Sequence, residues 1–210
     1  MGKRAARLQS AGMFVRPIII IAGLALAVPA AAAADQDPDW PCVQILVPTL
    51  SPGQIWAGDP IEGMEPVWRD LPVLQPVLQR VTERFSDPEK DEEAIERFAG
   101  TLGADRNTVL TALFAAVFDR LNRERGEAIE AVRRYARGQR AMLDRIAEGL
   151  GRVDRLAPDS PEAAALREEI AWQRRILDER RRYLGAVCDQ PVRLEQKLGR
   201  LARAIAAHLD

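Results

Sequence analysis

Three features of the sequence predict an all-α fold. Apolar residues step three-four-three-four along two long stretches, one from Ile129 to Val153 and one from Leu166 to Val187. A turn, Ala157-Pro158-Asp159-Ser160-Pro161, separates the two. The one segment with strand character, Val43 to Val47, has no partner strand to pair with. Together they describe an irregular Pro/Trp-rich N-terminal arm, short helices, a long antiparallel, coiled-coil-like helical hairpin and a C-terminal helix.

Residues 1–34 have the layout of a secretory signal peptide. Lys3, Arg4, Arg7 and Arg16 make a basic start, Ile18 to Val28 is apolar, and Ala32-Ala33-Ala34 offers a cleavage site before Asp35. The stretch from Ile18 to Ala34 is nearly long enough to span a bilayer, so an uncleaved anchor is the alternative. Pro29 and the alanine run suit a peptidase better. Cleavage after Ala34 and a periplasmic location are the expectation, with membrane contact only transient, through the signal peptide. Three Lys against 27 Arg, in an Ala-rich chain, fit a GC-rich bacterial genome.

Residues 35–70 form the arm. Proline at 38, 41, 48, 52, 60 and 66 removes backbone donors and keeps the segment extended. Trp40, Trp56 and Trp68 make it too apolar to float free; the indoles are expected to fill grooves on the helices with their N–H groups paired. Residues 71–210 are expected to form a single helical domain. Leu71, Leu74, Leu78, Val81 and Phe85 follow helical spacing, with the regular helix starting near Pro76. Asp87-Pro88-Glu89 opens the next helix with a cap, a first-turn proline and an acidic residue at the positive dipole end. Gly103 is positioned to end it and Asp105 to cap its successor. Val109 to Phe118 is apolar nearly all round and marks the most buried helix.

The hairpin is placed at 127–188. Its first seam reads Ile129, Val132, Ala136, Gln139, Leu143, Ile146, Leu150 and Val153. The second reads Leu166, Ile170, Gln173, Leu177, Arg180, Leu184 and Val187. Ser160 is the expected cap and Pro161 the first-turn proline of the second arm. Arms of about 28 residues span ~40 Å. Gly149 and Gly151 each cost about 1 kcal/mol of helix propensity and should soften the tip. Pro191 is expected to break the helix, leaving Leu194, Leu198, Leu201, Ile205 and Leu209 on a separate closing helix.

Composition narrows the function. Aromatic residues at 5% and a formal net charge of −1 leave neither stacking platforms nor a phosphate footprint, so no nucleic-acid partner is expected. The charge is uneven: residues 35–105 carry 15 acidic and 5 basic residues, residues 106–210 carry 16 and 21. Cys42 and Cys188 are the only cysteines, and in an exported chain an even pair is most simply a disulfide. His208 is the single histidine, two residues from the last. A zinc or haem site would need more ligands than the chain owns, so no metal and no cofactor is expected. Asp35, Asp37 and Asp39 alternate as in a calcium loop but lack its glycine and terminal glutamate. No phosphate cradle, nucleophile elbow or other catalytic constellation appears, and no catalytic residue is assigned.

The candidate binding residues are Arg133, Arg134, Arg137 and Arg140 on the first arm, and Arg180, Arg181 and Arg182 on the second, with Gln139 in the seam. Antiparallel pairing puts Arg134 level with Arg182 and Arg140 level with Ile176, so the arginines gather near the base of the hairpin. Guanidinium forks suit either the acidic half of the same chain or an external anion. The expected function is that of a non-enzymatic periplasmic accessory protein presenting its hairpin to a protein partner, with this basic band as first candidate patch and a homodimer as a structural variant. The alternative is a small anionic-ligand binder, or a lyase- or mutase-type enzyme, built on Arg180 and Gln139. After residue 34 the only lysines are Lys90 and Lys197, both expected in short peripheral helices.

Overall fold

The computed structural model describes residues 37–210, so the predicted signal peptide and its cleavage site lie outside the described residues. Within them the fold is all-α, with five helices and no strand: α1 (Met64–Arg69), α2 (Gln75–Thr82), α3 (Pro88–Ala99), α4 (Arg106–Val153) and α5 (Pro161–Ala206). The segment 43–47 is irregular, and Val43 and Ile45 are fully open to solvent. None of these helices is long and apolar enough to cross a membrane.

Local chemistry places the ends as expected in two cases. The Asp87 side chain accepts from the Glu89 amide ahead of Pro88, and the Ser160 side chain accepts from the Ala163 amide ahead of Pro161. Asp105 stands at the start of α4 but makes no side-chain cap. α3 ends at Ala99 with Gly100 as its cap residue, four residues before Gly103. The arm is not wholly extended. Gly63, at φ 80°, turns the chain into α1, where Pro66 sits in the first turn and its missing donor costs nothing.

The break expected at Pro191 does not occur. α5 runs through it for 46 residues, and α4 runs unbroken for 48, so each rod is ~70 Å long. Pro191 is buried and cannot donate to the carbonyl of Val187, a defect of about 3 kcal/mol in an isolated helix. Packing on both sides of it outweighs that cost. Leu198, Leu201, Ala202 and Ile205 are buried against α4, as is Leu177 on the other side of the proline. The C-terminal helix is therefore the last third of α5.

The core lies at the base. The continuously buried run Leu110–Val117 of α4 meets Leu74, Val77, Leu78 and Val81 of the α2 region, Ile95 and Ala99 of α3, and the end of α5. The arm supplies Trp56, whose ring stacks on Phe114 with centroids 4.2 Å apart and whose N–H donates to the Asp59 carbonyl at 2.8 Å. Trp40 likewise donates to the Gln44 carbonyl, at 2.7 Å. Beyond the base the hairpin thins to two helices, holding a small second core of Met142, Ile146, Ile170 and Leu177.

Candidate interaction surface

Three of the four candidate arginines on α4, Arg133, Arg137 and Arg140, are turned inward onto the arm. Asp37 closes a short turn, accepting the Asp39 amide on its carboxylate at 2.9 Å and the Trp40 amide on its carbonyl at 2.9 Å. That turn aims two carboxylates at α4. Arg133 donates to Asp37 at 2.7 Å and also to Glu130. Arg137 donates to Asp39 at 2.7 Å, and Arg140 reaches Asp39 and, at 2.5 Å, the Pro38 carbonyl. Hydrogen bonds from Arg137 and then Arg140 hold the Asp39 carboxyl below its ordinary value.

Three further ties fasten the arm to the hairpin. Cys42 and Cys188 form the expected disulfide, with Cα atoms 5.6 Å apart, and the Gln44 amide donates to the Cys188 carbonyl at 2.6 Å. Arg125, 3% exposed, donates to Glu195 of α5 at 2.6 Å and to the Val47 and Pro48 carbonyls of the arm at 2.5 and 3.4 Å. The arm thus bridges both rods where the hairpin leaves the base. Sequence reasoning missed Arg125, since a single arginine between a buried run and a seam carries no local signature.

The remaining members of the basic band do not converge. Arg134, Arg180, Arg181 and Arg182 are exposed, and only Arg181 meets a carboxylate among the described residues, Asp178 at 3.5 Å. Register near the base is as expected: Tyr135 donates its hydroxyl to the Arg180 carbonyl, and the Arg180 guanidinium lies over Gly138. Arg180 itself, expected in the seam, faces solvent. Gln139 is in the seam with its amide nitrogen buried and without a hydrogen-bond partner. Neither residue lines any of the three main clefts of the described structure.

Lys197 also departs from expectation. It is buried within α5, donating to the Glu83 carbonyl and to the Ser86 hydroxyl at 2.8 Å, while that hydroxyl donates to buried Asp91 at 2.5 Å. Burial pushes the lysine pKa down and the aspartate pKa up, against their mutual attraction. With its amine donating to two oxygens, Lys197 ties the α2–α3 loop to α5. His208 is half-buried beside a cleft lined by Glu89, Glu92, Glu96, Arg200 and Arg203, and no group of metal ligands forms among the described residues.

Farther out, the seam itself is corrected. Ile146 is buried as expected, but Met142 and Gly149 are buried where the sequence pattern put Leu143 and Leu150, and those two leucines are each 42% exposed. Ile170 takes the space over Gly149, 3.1 Å from where a Cβ would stand. The displaced leucines edge a groove of about 700 Å³ between the rods, floored by Ile146, Ile170 and Leu177 and bounded on α5 by Arg167, Arg174 and Arg181. It is the most voluminous of the three main clefts of the described structure. Comparison with family models, with curated proteins and with solved structures finds no match for the chain.

Proposed function

We propose that the protein is an exported, non-enzymatic accessory protein that presents the distal half of its hairpin to a protein partner. Removal of residues 1–34 after Ala34 and residence in the periplasm belong to this reading, and the Cys42–Cys188 disulfide suits an oxidising compartment. The distal groove is the observation that carries it. Leu143 and Leu150 leave their apolar side chains in solvent at a seven-residue interval, on a rod whose base is braced by the arm. A groove edged by such a stripe suits the helix-in-groove mode, in which an amphipathic helix lays its apolar face along it. Three of the four α4 arginines of the band are occupied by Asp37 and Asp39, so the docking patch moves from the base to the outer half of the hairpin.

Site-specific photo-crosslinking in the native host tests this. A crosslinking residue at position 150 is expected to give one discrete adduct, absent at Glu168, which does not line the groove, and lost on Leu143→Asn. The same adducts at both positions, or none at either, would remove the docking role.

A further inference from the structure

The two rims of the distal groove differ in chemistry but share one period. On α4 the rim is apolar, with Leu143 and Leu150 seven residues apart. On α5 it is basic, with Arg167, Arg174 and Arg181 again at intervals of seven. All three arginines are exposed. Arg167 donates to the Pro158 carbonyl at 2.9 Å, Arg181 stands 3.5 Å from Asp178, and Arg174 meets no carboxylate among the described residues. Asp178 is the single acidic residue lining the groove. Fourteen residues of α5 separate the first arginine from the last, ~21 Å, which is four turns of helix. A seven-residue repeat on both rims is the register that a supercoiling third helix follows.

Resting on the docking role proposed above, we infer that the groove receives an acidic amphipathic helix of a partner protein. Its apolar stripe lies over Leu143, Ile146 and Leu150, and a heptad row of Glu or Asp faces Arg167, Arg174 and Arg181. Charge and burial argue against occupants from this chain. Residues 1–34 carry four basic residues and no carboxylate, so they would add charge of the same sign. α3 owns an acidic row, Glu89, Glu92, Glu93 and Glu96, but its apolar face is already committed, with Ile95 and Ala99 buried in the base. A second copy laid groove to groove brings the same basic rim, answered only by Asp178.

The test uses the full chain with its disulfide intact and labelled 21-residue helical peptides as probes. Each carries Leu at its a and d positions; one has Glu at a single flanking position of each heptad and another Lys, and a third keeps the Glu row but has Asn in place of Leu. Fluorescence anisotropy at low salt is expected to show the Glu peptide binding about tenfold more tightly than the Lys peptide. The Asn peptide should lose binding, and the Glu preference should shrink in 0.5 M salt, an ionic strength on the order of that at which rim charges are screened. The R167E/R174E/R181E variant should invert the order while its helix content stays unchanged. Equal affinities for the Glu and Lys peptides, or no binding of either, would overturn the acidic-helix assignment. So would a concentration-dependent dimer abolished by Leu143→Asn, since a second copy would then fill the groove. The Leu150 crosslink is scored separately: an adduct there with no peptide charge preference keeps the docking role and discards only the partner chemistry.

Discussion

Arg125 shows how much a single side chain holds. Its guanidinium is almost fully buried and joins α4 to Glu195 on α5 and to two carbonyls of the arm. Methionine would keep much of the stem's packing but strand those carbonyls and an unpaired Glu195. Arg125→Met should therefore destabilise the protein by about 3 kcal/mol, read as a lowered urea midpoint. Asp37 and Asp39 act on the same junction from outside. Their pairs with Arg133, Arg137 and Arg140 are partly exposed, so each contributes less than the Arg125 knot does. Within the arginine band the acidic arm takes three members, and the other four are exposed.

At the scale of the element, the two rods carry glycines that nothing requires. A Cβ at Gly126 in α4 or at Gly185 in α5 would meet no atom within 4 Å. Gly126→Ala and Gly185→Ala should each stabilise by roughly 0.5–1 kcal/mol, measured as a rise in the thermal midpoint. Gly149→Ala should not follow them, because Ile170 stands 3.1 Å from the added methyl. That same glycine explains why the seam was misread. The steps through Leu143 and Leu150 and the steps through Met142 and Gly149 are both helical, and hydrophobicity alone favours two leucines over a methionine and a glycine. What decides is close approach of the rods, with Ile170 seated over Gly149, and that is a tertiary fact. Helix starts at Asp87 and Ser160 were legible because capping is chemistry within three residues. Pro191 was not, because the local penalty is overridden by apolar residues that pack far along the chain.

On the scale of the whole molecule, a thick base carries a thin two-helix extension, and the arm spans the step between them. Trp56, stacked on Phe114, roots the arm in the base, and the disulfide pins its far end to α5. Replacing both cysteines by serine should cost about 2–5 kcal/mol of stability. Hydrogen exchange should then lose protection in residues 37–48 while the outer core of Met142, Ile146, Ile170 and Leu177 keeps its own. Uniform loss along the hairpin would show that the disulfide stabilises the rods themselves. The pairing of the two cysteines was legible from their number alone. The path of the arm between them depends on Arg125, Gln44 and Lys-poor, arginine-rich helices meeting a short acidic turn.

The 146-residue interval between Cys42 and Cys188 also sets a clock on biogenesis. At synthesis rates of about 5–20 residues per second, the first thiol exists for roughly 7–30 s before its partner is made. No other cysteine in the chain can trap it in a wrong ring meanwhile, so the hazard is capture by a neighbouring molecule. An oxidase that closed disulfides in order of emergence would find nothing to close here until Cys188, well past the middle of α5, had emerged. Correct oxidation of this protein is thus a report that both arms of the hairpin have been made, up to Cys188.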